Sequence, residues 1–300
     1  MFPRAIGNGS VGDAELLDSR DRSGTTPRHN PLAEADGLVR DVLAAVRNLE
    51  QLLRSPLIGR RALVSVIPGL EELCHPLHAS IDELLGYASA GDAASTGAAV
   101  RALSAQIGAT CERLRSALAE ATASAMDAKA RLAFEVEVRA VGVELHGVRQ
   151  LMTLLRRATE APYAEVDLDI REVVREVFAA ASRRDPHLSN RVPVVTCFQG
   201  ESFGLRGSPQ IVMPLLGIGL ALVHRAVQGS TSLEAVCRPG QPVVIHISPE
   251  PAQGEIHSFD PPTLIGPSLI CAETAARLMG ARFDFRAERV TMSCPALSAV

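Results

Sequence analysis

The sequence predicts an α+β chain: an N-terminal helical hairpin or bundle that dimerises, followed by an α/β sandwich. Three observations predict it. Apolar residues recur at helical spacing from about residue 34 to 160. From Pro162 onward the pattern breaks into short strand-like runs, turn signals and shorter helices. The chain has 300 residues, 47% hydrophobic, which is enough for two modest cores. Aromatics make up only 3% and Trp is absent, so those cores must be built from Leu, Val, Ile and Ala.

Residues 1–33 are polar, Gly-rich and without period, and are expected to be a disordered tail. A first helix starts near Pro31, with Leu38, Val42, Leu43, Val46, Leu49 and Leu53 on one face. Ser55-Pro56 interrupts it. The next helix runs from about Leu57 to Tyr87 along Leu63, Ile67, Leu70, Cys74, Leu77, Ile81 and Leu84. Steps of four and three residues make this a coiled-coil-like seam. "SAGDAASTG" supplies the turn.

A long helical stretch follows, from about Ala98 to Ala158. Its first seam is Val100, Leu103, Ile107, Cys111, Leu114, Leu118, Ala121, Ala125, Ala128 and Leu132. Its second is Phe134, Val138, Val141, Leu145, Val148, Met152 and Leu155. The phase slips between Leu132 and Phe134, so a reversal near Ala121–Lys129 is expected. A bundle this apolar suits a homodimer.

The region from 163 to 297 reads as a second domain with one mixed sheet and helices on one face. "RVPVVTCF" and "ESFGLRG" are strands, and "SPQIVMPLLGIGLALVHRAV" is a buried helix. "SLEAVCR" with "PVVIHIS", and "ARFDFRA" with "RVTMSCP", form hairpins. Between them "PSLICAETAARLMG" is a helix ending at Gly280.

Composition excludes several classes of function. The net charge of -4 argues against nucleic acid, and Lys129 is the sole lysine. The six cysteines are widely spaced with no CxxC pair, which fits buried free thiols in a reducing cytosol. No signal peptide and no membrane span are expected, so the chain reads as cytoplasmic.

Three stretches carry a resemblance. "ALVSVIPGLEELCHPLHASIDELL" is similar to a phosphoacceptor helix in which His-Glu-x-x-x-Pro-Leu follows small residues, and Pro76-Leu77 match its Pro-Leu. "VRQLMTLLRRATEAPYAEVDLDIREVVREVF" looks like the end of a second bundle helix leading into a nucleotide-binding domain. "LICAETAARLMGARFDFRAERVTMSCP" looks like that domain's closing helix and hairpin. In this order they resemble the core of a sensor histidine kinase. The resemblance covers about residues 57–297, with an insertion near 91–130. It implies a dimerisation and phosphoacceptor bundle followed by a Bergerat-type ATP-binding domain.

The chemistry that this family needs is missing at four places. The acceptor position falls on Glu71 or Glu72, and a carboxylate cannot form the stable phosphoramidate. The ATP-site helix carries Gly217 and Ala221 where a magnesium-holding asparagine is implied. Asp260, at the base-reading position, is followed by two prolines that offer no close-approach glycine and no N–H. Of the second glycine box only Gly266 remains. ATP and magnesium binding are therefore expected to be lost.

Glu71, His75, His78 and Asp82 form a stripe beside the second helix's core seam. Three readings are open. Glu71–His75 and His78–Asp82 are solvated i,i+4 pairs; or His75 or His78 accepts a phosphoryl group; or Glu71, His75 and His78 share a zinc ion across a dimer, which lacks a fourth ligand. No metal site is assigned. His146 reads as structural, and Arg149, Arg156 and Arg157 as complements to the dipole of their helix end. The expected function is a catalytically degenerate, histidine-kinase-like signalling protein that docks a response regulator or a partner kinase. The alternatives are a phosphotransferase or divergent kinase using His75 or His78, and a structural coiled-coil protein.

Overall fold

The computed structural model describes residues 31–54, 60–89, 94–123, 128–159, 166–184, 194–200, 204–226, 231–238, 241–249 and 265–295. Four long helices come first: α1 (Pro31–Arg54), α2 (Arg60–Ser89), α3 (Ala94–Ala123) and α4 (Ala128–Thr159). The predicted seams explain them. Val42, Val46, Leu49 and Leu53 of α1 are buried, as are Leu70, Cys74, Leu77 and Leu84 of α2. The whole second seam, from Phe134 to Leu155, is buried on α4. Each helix packs on two neighbours, α1 on α2, α2 on α3, α3 on α4 and α4 back on α1, with connections of four or five residues between helices.

Two expectations change here. The segment expected as an insertion supplies α3, one wall of the bundle. The reversal falls between Ala123 and Ala128, as the phase slip requires, but Ala128 and Leu132 leave the core. Leu132 is 62% exposed, because the new helix restarts in the phase set by Phe134. The four helices close a ring within one chain.

Polar contacts pin the ring. Asp36 of α1 accepts from Arg149 at 3.3 Å and pairs with Arg156 at 3.7 Å, so these arginines bind an acid rather than only their own helix end. Arg131 donates to the Leu53 carbonyl at 2.9 Å. Gly142 brings α4 close to α1: a Cβ there would lie 2.6 Å from Glu50 Oε1. Between α3 and α4, Arg113 bonds Glu137 at 2.7 Å and Glu144 at 2.5 Å, while Thr110 donates to Glu144 at 3.0 Å. Burial alone would lower the Arg113 pKa, but the two carboxylates outweigh it and hold it above its ordinary value.

The second half contains β1 (Val166–Asp169), α5 (Ile170–Arg184), β2 (Val194–Gln199), β3 (Gly204–Gly207), α6 (Pro209–Ala226), β4 (Thr231–Val236), β5 (Val243–Pro249), α7 (Ile265–Leu278), β6 (Arg282–Arg286) and β7 (Arg289–Cys294). Two sheets replace the single one expected. β1 pairs antiparallel with β3, and a five-stranded sheet runs β2-β4-β5-β7-β6. Within it β2–β4 is parallel and the other pairs are antiparallel. Alternation buries Leu233, Ala235, Ile245, Ile247, Val290 and Met292 on one face. α6 lies on that face with Gly219 as its closest approach: a Cβ there would meet Ile247 Cδ1 at 2.9 Å and Val290 Cγ1 at 3.2 Å.

α7 joins the halves. It packs on α3, α4, α6 and β6. Its Cys271 belongs to the bundle core, while Ala272, Ala275 and Ala276 belong to the sheet domain's core. Gly280, at φ 72°, ends the helix, with Ala281 N–H returning to the Ala276 carbonyl at 2.8 Å. No helix among the described residues is long and apolar enough to cross a membrane.

The β6–β7 hairpin turns on Ala287 and Glu288, at φ 46° and 64°. A two-residue turn with both φ positive favours Asn-Gly, and neither residue present relieves the strain. Replacing Ala287-Glu288 by Asn-Gly is expected to stabilise the chain by about 1–2 kcal/mol in urea unfolding. Five cysteines are buried as expected, but Cys197 is exposed on β2, and burial pushes Cys294 up to about 12. A thiol reagent on native protein is therefore expected to show one fast group, which Cys197→Ser removes.

Candidate functional site

α2 carries the histidines. It stays helical through Pro68 and Pro76, which lack the N–H that a helix interior uses. Both prolines are exposed, while Leu70, Cys74 and Leu77 between and beside them are held by the core. Ser80 donates to the Leu77 carbonyl at 2.9 Å, closing the turn after the second proline. The Cys111 thiol of α3 donates to the Cys74 sulfur, which lowers the Cys74 pKa and raises that of Cys111.

The predicted stripe is present but its pairings differ. Glu71, His75 and Asp82 are exposed, and neither i,i+4 pair forms among the described residues. His78 instead turns across to α3, where its Nε2 lies 3.3 Å from Glu112 Oε1. Glu112 also accepts from Arg115 at 2.6 Å. The carboxylate of a packed neighbour wins because the α2–α3 contact holds the two helices side by side. Asp82, one turn along α2, is exposed and lines the groove beside His78. His78 thus belongs to an interhelical pair, while His75 keeps an open imidazole.

Beside His78 runs a groove of about 440 Å³ between α2 and α3. Asp82, Leu85, Arg101, Ser104 and Gly108 also line it. Its floor is polar and unsatisfied: His78 Nδ1 and Ser104 Oγ are both buried with no hydrogen-bond partner among the described residues. Ser104 is 1% exposed. Glu112, Arg115, Arg101 and Ser104 escaped the sequence reading because α3 was taken as an insertion. A signal was available: 101, 104, 108, 112 and 115 step by three and four along one side of the Cys111 seam. No group of three or more His, Cys, Asp or Glu side chains among the described residues is arranged to hold a metal ion.

The positions that the resemblance assigns to a nucleotide site lie in the second half. Gly217 and Ala221 fall on the side of α6 away from Gly219, hence away from the sheet; Gly217 is half-buried and Ala221 exposed. A Cβ at Gly217 or at Gly266 would meet nothing within 4 Å. Gly266 is exposed in the first turn of α7, which packs against α6. Asp260 lies outside the described residues. So α6 offers neither carboxylate nor carboxamide at Gly217 or Ala221 to a hard cation. Chemically, the bundle face offers one open imidazole, one carboxylate-held imidazole, and a groove lined by an arginine, an acid and a hydroxyl.

A buried hydroxyl without a partner forfeits about 1–3 kcal/mol. Ser104→Ala is therefore expected to raise stability in urea unfolding by about 1 kcal/mol, the reverse of the usual sign for removing a hydroxyl. A loss of stability would show that the hydroxyl is satisfied in the folded chain.

No family model matches the chain, and no curated protein matches it. Solved structures do. The histidine kinase AdeS of Acinetobacter baumannii is 12% identical with a TM-score of 0.42, over 64% of this chain and 96% of that one. Full-length ShkA in complex with AMPPNP is 14% identical with a TM-score of 0.42, over 76% of this chain and 46% of ShkA. A histidine kinase from Burkholderia phymatum is 9% identical with a TM-score of 0.34, over 66% and 99%. These solved structures are histidine kinases, the family that the sequence resembles, and the likeness is too distant for any activity to pass from them to this chain.

Proposed function

We propose that this chain is a catalytically degenerate, histidine-kinase-like signalling protein of the cytoplasm that docks a response regulator or a partner histidine kinase. The observation that supports the reading most is on α6. A helix placed on the sheet as a nucleotide-site helix turns Gly217 and Ala221 outward, and neither can hold magnesium. Without that ion the charge on a transferring phosphoryl group goes unneutralised. The bundle remains as the working surface, and its α2–α3 face, with His75, Arg101 and the groove, is where a receiver domain would sit. Nucleic acid is not a partner in this reading, because the net charge is -4. Self-association belongs to it as well, although a closed ring leaves only outer faces for a second copy.

A second reading rests on His75. Its imidazole is exposed on α2, one turn after Glu71, and could take a phosphoryl group from a phosphorylated regulator. The two readings part on one experiment. Magnesium-ATP is titrated calorimetrically, and label is followed from ATP and from phosphorylated receiver domains. The degenerate reading expects no binding heat from ATP, no label on the chain from either source, and measurable receiver binding. Label from a receiver that disappears in His75→Ala selects the phosphotransferase. Tight magnesium-ATP binding overturns the loss of the nucleotide site.

A further inference from the structure

Two of the six cysteines meet. Cys74 sits on α2 between Leu70 and Leu77, and Cys111 on α3 between Ile107 and Leu114, all buried in the bundle core. α2 packs against α3, and the Cys111 thiol donates to the Cys74 sulfur across that contact. The thiols of Cys271 and Cys294, by contrast, are shifted by burial alone. Packed helices run with their axes about 8–10 Å apart. Each Cα stands about 2.3 Å off its axis, so facing Cα atoms come within about 3.5–5.5 Å. A disulfide spans Cα atoms about 4.4–6.8 Å apart, so helix packing of this kind admits the bond.

The surroundings give the two sulfurs different roles. The hydrogen bond from Cys111 steadies a thiolate at Cys74, and the charge of Arg115 adds to it. Burial and the acids Glu71 and Glu112 oppose them, and the balance holds Cys74 below the ordinary thiol value. Cys111 is held up by the same bond and by burial. The groove between α2 and α3 reaches His78, one turn after Cys74, and Gly108, one turn before Cys111. It brings a small oxidant to within a helical turn of both sulfurs, while their burial keeps a bulky thiol reagent away.

We infer that Cys74 and Cys111 are a peroxide-reactive pair that closes to a disulfide between α2 and α3. This goes beyond the signalling reading and does not depend on it. The Cys74 thiolate attacks one oxygen of hydrogen peroxide. The S–O bond forms, the O–O bond breaks, and the hydroxide that leaves takes up the proton shed by Cys74 to become water. The thiolate that held the Cys111 proton is then gone, and the Cys111 sulfur attacks the sulfenic acid. The S–S bond forms, the S–O bond breaks, and the second hydroxide leaves as water with the Cys111 proton. Two thiols and one peroxide give one disulfide and two waters, and two electrons pass from sulfur to oxygen.

The experiment treats the full-length Cys197→Ser chain with hydrogen peroxide in native buffer, digests it without reductant and maps the peptides by mass spectrometry. A linked pair of Cys74 and Cys111 peptides, lighter by two hydrogens, is expected, formed at least about tenfold faster than Cys271 or Cys294 is oxidised. The bond should raise the thermal midpoint by about 5–10 °C, and dithiothreitol should return it. Cys111→Ser should leave a sulfenic acid at Cys74 that dimedone traps, whereas Cys74→Ser should leave Cys111 unoxidised. Cys74 and Cys111 recovered unlinked, a link that forms only in urea, or a link no faster than the oxidation of Cys271 would each overturn the proposal. The peptide map needs no change at either core position, so it decides the matter even where a serine there weakens folding.

Discussion

The contact between α1 and α4 is the constraint on which the bundle depends. Four amphipathic helices hide four apolar stripes only if the last meets the first. α1 brings Val39, Val42, Val46, Leu49 and Leu53 to the bundle core, all essentially buried. Burying a side chain of this size contributes about 1.5–3 kcal/mol, so the seam outweighs the polar pairs around it. Those pairs set register instead: Asp36 meets Arg149 and Arg156 near one end, and the Leu53 carbonyl meets Arg131 near the other. The kinase resemblance begins only at about residue 57. The helix that closes the ring thus lies outside the part of the chain that carries the resemblance.

Much of this architecture was legible in the residues. Periodicity placed the helices, and the slip between Leu132 and Phe134 located the turn between α3 and α4. Both hairpins in the second half came out as expected. Who packs on whom was not legible. A seam marks which side of a helix is buried but not its neighbour, so one bundle closed by four helices and two hairpins paired between chains look alike in sequence. The separate β1–β3 sheet was hidden for a similar reason, since four-residue strands carry too little pattern to show their partners.

At the candidate site the stripe was visible and its bonding was not. Spacing along one helix offered Asp82 to His78; packing offered Glu112, a residue of another helix 34 positions on. Across a helix contact the nearer acid wins, and only the fold supplies that proximity. The unpaired Ser104 hydroxyl was equally invisible, because a serine on a buried face reads like any small residue. The outward positions of Gly217 and Ala221, by contrast, followed once α6 had a side against the sheet.

The placement of α7 bears on motion. The helix between the two halves sits in two hydrophobic interiors at once, Cys271 in one and Ala272, Ala275 and Ala276 in the other. Sliding it would open both interiors together. A helix anchored in both interiors ties the packing of the bundle to the packing of the sheet domain.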